Sequence, residues 1–234
     1  MATKKEQEVI EIKALDIQYA PIRIVGDSPL IVHAWSEKAK RMMLEAQTGE
    51  KKGKKKELRN PVDDFAQSMY WLEGAPDETW KAPDGLEMPE VIEFANNKIV
   101  EAHKTGAKWG FPVGAIKQSG NAAAYRMNWV RNQMGLRGAY FFQSEYGQYA
   151  EIKGDLPVMR EDMVRIGMGS ADLRYRAEFR NWFIDMVLEY NASGEYKLEN
   201  IINIISAGGY VTGLGEWRPE KDGEYGRFHI ELTK

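Results

Sequence analysis

The chain has 234 residues, 43% of them hydrophobic and 29% charged, with seven Trp, eleven Tyr and eight Phe, so it carries enough apolar mass for a core and far too many aromatics for a disordered segment. Cysteine is absent, which excludes disulfides, zinc–thiolate sites, iron–sulfur clusters and a Cys nucleophile, and fits a reducing cytoplasm. The net charge of −3 hides a partition: residues 36–60 hold nine Lys/Arg against four acids, residues 61–101 hold two against ten, and residues 102–144 hold six Lys/Arg and no acid.

The N-terminal residues have no apolar stretch, which predicts no signal peptide, and no apolar run is long enough for a membrane span, so no membrane partner is expected. Val9 to Ile17 alternates loosely as a strand. Ile22 to His33 reads as the next strand, with Pro29 marking a bulge or an edge. Ser36 caps a helix over about 37–48 with Ala39, Met42, Met43 and Ala46 as its apolar face. Residues 49–60 form a solvated lysine-rich loop, Phe65 to Leu72 reads as a strand, 74–89 as a loop, and 90–104 as an amphipathic helix with Val91, Ile92, Ala95, Ile99 and Ala102 inward.

A helix follows over about 112–131, then strands at Arg137 to Gln143, Gln148 to Ile152 and Asp162 to Ile166. Phe179 to Tyr190 is a long strand whose even positions, Trp182, Ile184, Met186, Leu188 and Tyr190, face one way. Leu198 to Ala207 is a helix burying Ile201, Ile202, Ile204 and Ile205, and Arg227 to Leu232 is the last strand. With about 36–110 set aside as an inserted subdomain, the order is βαββαβ. That is an α+β chain, 1–234, with a ferredoxin-like (RRM-like) core and helices covering one sheet face.

Four features bear on function. Six glycines, Gly208, Gly209, Gly213, Gly215, Gly223 and Gly226, lie between the last helix and the last strand. Glycine suits a loop wrapping phosphate or packing on a neighbouring chain; a helix cap at Gly208–Gly209 and a turn at Asp222-Gly223 is the plain alternative. The acid-free block places Lys117, Arg126, Arg131 and Arg137 among Tyr125 and Trp129. Lys117 and Arg131, about four turns apart, fall near one helix face, and basic side chains with interleaved aromatics fit backbone neutralisation plus base stacking. The alternative is a solvated face with its aromatics in the core. Lys51, Lys52, Lys54, Lys55 and Lys56 cannot pack and form an exposed basic loop. Arg174, Arg176 and Arg180 share one side of an extended segment beside Asp162, Asp172 and Glu178, which supports either phosphate contacts or a salt-bridge ladder. Trp217 and Arg218 offer a stacking pair or a core contact. His33, His103 and His229 are far apart, and no HExxH, GxxxxGK[ST] or GxSxG occurs, so neither metal nor cofactor is expected.

The segment Ala207-Gly-Gly-Tyr-Val-Thr-Gly-Leu-Gly-Glu-Trp-Arg-Pro-Glu-Lys-Asp-Gly-Glu-Tyr-Gly-Arg-Phe resembles the glycine-rich loop of the RAMP superfamily (repeat-associated mysterious proteins), the backbone and processing subunits of CRISPR effector complexes. Ile22-Arg-Ile-Val-Gly-Asp-Ser-Pro-Leu-Ile-Val is similar to the opening strand of such subunits. The resemblance covers the βαββαβ skeleton, roughly half the chain, and suggests a phage or mobile-element relative. It implies a guide-RNA path along the first core helix, at Lys117 and Arg126, and, by analogy with processing members, a general acid/base role for His33. The expectation is a non-catalytic protein that binds single-stranded nucleic acid, RNA rather than DNA, and oligomerises head-to-tail along it or joins other protein subunits. A viral structural or inhibitory protein acting through protein contacts, and an RNA endonuclease using His33, are the alternatives.

Overall fold

The computed structural model describes residues 14–49, 58–166 and 169–233. Most of the Val9–Ile17 strand expected from the sequence lies outside them. In Ile17–Gly26 (β1) and Trp182–Asn191 (β10), every second residue is buried: Ala20, Ile22 and Ile24 on one, and Trp182, Ile184, Met186 and Leu188 on the other. That period of two puts one face of a sheet against the core. The register sets Ile24 beside Ile184 and Ile22 beside Met186. Phe228–Leu232 (β11) pairs with the free edge of β1, and Tyr140–Gln143 (β5) with that of β10, giving the order β11-β1-β10-β5, antiparallel throughout.

Two helices complete this layer. Val113–Arg126 (α4) connects towards β5, and Leu198–Ala207 (α6) connects β10 to β11. They pack on each other and against β5 and β11. Their approach is close because the contact is built of small residues: Ser119, Gly120, Ala123 and Ala124 of α4 are buried, and a Cβ on Gly208 would stand 2.7 Å from the Gly120 nitrogen. Tyr140 donates its hydroxyl hydrogen to Asn121 Oδ1 at 2.9 Å, tying β5 to α4.

The region from Ile22 to His33 is not one strand. The chain leaves the first sheet after Gly26, and Leu30–Val32 (β2) joins a second sheet, ordered β2-β9-β8, with Val158–Ile166 (β8) and Ser170–Phe179 (β9) as a long hairpin. A third sheet contains Tyr70–Glu73 (β3), Lys108–Pro112 (β4) and Tyr149–Glu151 (β6), and the short Lys153–Gly154 (β7) pairs with β10.

The helix expected at 37–48 is present as Glu37–Thr48 (α1), but Met42 and Met43 are exposed, so its apolar face covers no core. The strand expected at Phe65 to Leu72 is instead the helix Pro61–Gln67 (α2) followed by β3. Asn60 caps it by accepting from the Asp63 nitrogen, and Pro61 occupies its first position, both helix-start signals. Met88–Lys104 (α3) buries Val91, Ala95 and Ile99 as its periodicity predicts. The helix expected at 112–131 stops at Arg126, and a short helical turn, Met134–Arg137 (α5), precedes β5. One continuous apolar cluster runs from Val62 and Phe65 of α2 through Ile22 and Ile24 to Ile201 and Ile205 of α6. Among the described residues no helix is long and apolar enough to cross a membrane.

Candidate functional site

The glycine segment begins as a π-helical turn, Gly208–Thr212, and then runs against β2, through Glu216 N and the Ile31 carbonyl, and against the β8–β9 hairpin, through Glu216 with Arg176 and Tyr225 with Arg160. Its glycines meet protein backbone. A Cβ on Gly209 would overlap the Phe228 carbonyl oxygen, one on Gly223 the Trp217 carbonyl, and one on Gly226 the Leu214 carbonyl. Gly215, at φ +70, lies so close to the Ile31 carbonyl that no side chain fits, and Glu216 N donates to that oxygen at 2.9 Å. The same close approach brings Gly213 against Pro219 and Arg218. These positions require glycine for packing, whatever the loop binds.

A cleft of about 220 Å³ opens where this loop meets α4. His33, Tyr70, Gln118, Thr212, Glu216 and Arg218 are among its lining residues. His33 follows β2, its Nε2 lies 3.4 Å from Arg174 Nη1, and its buried Nδ1 has no partner among the described residues. Burial, with Arg176 and Arg174 nearby, holds its pKa below the ordinary value and keeps it neutral. Burial likewise raises the Tyr70 phenol. The glycine segment and α4 therefore adjoin, but the walls of the cleft are close to electrically balanced. Arg218 donates to Glu220 at 2.7 Å and to the Gly215 carbonyl at 2.9 Å. Arg126 is paired with the same Glu220, which is drawn below its ordinary pKa by these two arginines against the opposing effect of burial.

Arg174 and Arg176 belong to a ladder on one face of the hairpin, the second of the two outcomes left open by the sequence. Asp162 accepts from Arg160 at 2.7 Å and from Arg176 at 3.3 Å, Glu178 accepts from Arg160, and Asp172 accepts from Arg174 at 2.8 Å. Glu216 of the glycine segment lies 3.8 Å from Arg176, and Arg160 lies over the Tyr225 ring at 4.8 Å. Trp217 is partly exposed, in the left-handed region at φ 52.

The acid-free block divides. Lys117 turns back onto its own chain, donating to the Arg137 carbonyl at 2.7 Å and lying 4.0 Å over the Phe141 ring. Arg131 lies beyond the end of α4 and so shares no helix face with Lys117. Arg137 ends α5 instead of opening a strand. Both Arg131 and Arg137 are exposed, and neither has an ion pair among the described residues. Beside them Tyr125 and Trp129 are each 50% exposed, and Met127 and Met134 are exposed too, so this stretch keeps its aromatics out of the core. Lys51, Lys52, Lys54, Lys55 and Lys56 lie outside the described residues. Sequence reasoning passed over Tyr70, Gln118 and Thr212, which no motif marks; only the fold brings them to one cleft. Among the described residues no cluster of three His, Asp or Glu is arranged to hold a metal ion. Neither a scan against protein-family models nor a search of curated proteins returns a match to this chain.

Proposed function

We propose that this chain is a RAMP-like protein that binds single-stranded nucleic acid, RNA rather than DNA, without chemistry of its own, and that it assembles head-to-tail along the strand. A ferredoxin-like core is supported by the antiparallel order β11-β1-β10-β5, with α4 between β1 and β5 and α6 between β10 and β11: each helix links two strands separated by a third, as in a split βαβ unit. The glycine segment occupies the corresponding place, between α6 and β11.

The observation that carries the binding reading is the exposure of Tyr125 and Trp129 beside Arg131 and Arg137, which have no ion pair among the described residues. Aromatic faces stack on bases of any sequence, and free guanidinium groups neutralise phosphates. In an assembly, the acidic region 61–101 would meet the basic surface of the next copy.

The test is fluorescence anisotropy of a labelled single-stranded oligonucleotide across a salt series. Binding should weaken as salt rises, and Arg131→Ala with Arg137→Ala should flatten the log–log slope by roughly 0.7 for each phosphate no longer neutralised. Trp129→Ala should cost about 1–3 kcal/mol without changing the slope. RNA should be recovered intact after incubation; defined fragments that vanish in His33→Ala would establish a nuclease instead. The exposed Met127 and Met134 favour a second reading, a structural or inhibitory protein acting through protein contacts. Stable assembly, a protein-like absorbance ratio after purification and no oligonucleotide binding at low salt would establish it.

A further inference from the structure

We infer that the cleft between α4 and the glycine segment holds one unstacked nucleobase of the bound strand and selects among bases. The choice of a nucleobase over other planar polar groups rests on the strand-binding reading above.

Two of the lining residues each carry a buried polar atom that lacks a partner among the described residues, His33 Nδ1 and Thr212 Oγ1. Thr212 is only 3% exposed. A buried hydroxyl without a partner costs stability that Val at the same site would avoid, so a structural role gives no reason for it, whereas a ligand edge that completes its hydrogen bond does. His33 is neutral at neutral pH. The Arg174 guanidinium, which can only donate, lies 3.4 Å from Nε2, which favours the tautomer with its hydrogen on Nδ1. The walls of the cleft thus hold a buried imidazole nitrogen and a buried hydroxyl, both unpartnered among the described residues, together with the exposed Gln118 amide.

Charge selects against a phosphate. Arg218 is neutralised by Glu220, Arg176 is engaged by Asp162, and Glu216 adds a carboxylate to the lining, so among the described residues no free cation faces the space. Tyr70, Phe111 and Pro112 supply flat apolar walls. A volume of about 220 Å³ is smaller than the roughly 300–1,000 Å³ of pockets that enclose a drug-sized ligand; it admits a ring system and leaves sugar and phosphate outside. Bases drawn out of a stack are held in this manner, between apolar walls and by hydrogen bonds to their edges. The cleft also continues the candidate interface. Gln118, Ala122 and Tyr125 fall at i, i+4 and i+7 of α4, one helical face, and the first two line the cleft while the third is exposed beyond it.

The experiment uses the full chain, four homopolymeric single-stranded oligonucleotides and the four free nucleosides, the latter followed by saturation-transfer NMR. Wild type should prefer one base by about tenfold, the size of one good hydrogen-bonded base contact, and should contact that nucleoside saturably. Thr212→Val, which keeps the shape, and Gln118→Ala, on the exposed rim, should each reduce the preference several-fold while leaving the salt slope unchanged. Oligonucleotide binding with equal affinity for all four bases and no nucleoside contact overturns the pocket and leaves strand binding standing; the cleft then holds only water. Saturable nucleoside binding without oligonucleotide binding overturns strand binding and leaves the pocket standing. Base preference unchanged in both variants also overturns the pocket.

Discussion

The fold moves the pKa values of two histidines in opposite directions. Asp27 Oδ1 lies 2.6 Å from His229 Nδ1, and this hydrogen bond, aided by Glu231, raises the His229 pKa against the opposing effect of partial burial. Its stabilisation is therefore full below the unfolded value near 6.5 and is lost as pH rises through the folded value. His229→Gln should lower the urea midpoint at about pH 5.5, by under about 1 kcal/mol because both partners are half exposed and screened, and should do nothing at about pH 9. His33 runs the other way. Burial and the facing Arg176 and Arg174 outweigh Glu216 and Asp64 and lower its pKa. As pH falls below about 6.5 the unfolded chain gains a proton that the folded chain refuses, and stability drops until the folded value is reached. His33→Gln should flatten that acid limb. Equal shifts at both ends of the pH range would contradict both assignments.

At the scale of the element, the hairpin β8–β9 explains what the sequence could and could not reveal. Its partners on one side are apolar: Met159, Tyr175, Ala177 and Phe179 are buried, with α2 and α3 packed against the hairpin. Its other face carries the charged ladder. Asp162 is 7% exposed and serves both Arg160 and Arg176. Asp162→Ala should destabilise the protein by about 1–3 kcal/mol, because the buried Arg176 loses its nearest acceptor and keeps only Glu216 at 3.8 Å, while Arg160 falls back on Glu178 alone; a loss below about 1 kcal/mol in urea melts would mean that water reaches the two guanidinium groups. Elements whose apolar positions repeat cleanly, β10, α3 and α6, were legible, because period alone decides which face is buried. Elements defined by distant partners were not. β2 pairs with β9, setting Ile31 beside Glu178, and nothing local at Ser28-Pro29 says that the chain changes sheets there. The helix α2 was announced by Asn60-Pro61 and obscured by the run of aromatics that follows it. The candidate site divides in the same way. Local composition located the glycine segment and the exposed aromatics, whereas the neutralisation of Arg126 by Glu220, 94 residues away, depends on tertiary structure alone.

At the scale of the whole molecule, the described residues of the region 36–110 share one apolar cluster with the rest of the chain, and the polar joints point the same way. Ser68, 2% exposed, donates through Oγ to the Phe65 carbonyl at 2.7 Å and accepts from the Ala177 nitrogen at 3.0 Å, while its own carbonyl accepts from Ala34 N at 2.7 Å. One residue of this region thus holds both β9 and the segment that follows β2. On the opposite side of β2, the glycine segment donates from Gly226 N to the Pro29 carbonyl at 2.8 Å and from Glu216 N to the Ile31 carbonyl. β2 is therefore held by β9 and by the loop that walls the cleft, and Ser68 ties both β9 and the residues after β2 to the region 36–110, which couples that region to the cleft. Unfolding in urea should be a single transition, with far-UV circular dichroism and tryptophan fluorescence superimposing. Ser68→Ala, which leaves the Ala177 amide hydrogen without an acceptor, should lower the midpoint by an amount equivalent to about 1–3 kcal/mol with the slope unchanged. If Ser68→Ala instead split the transition, the region 36–110 would be an independent folding unit, and the cleft walls would have to be held by the β11-β1-β10-β5 layer alone.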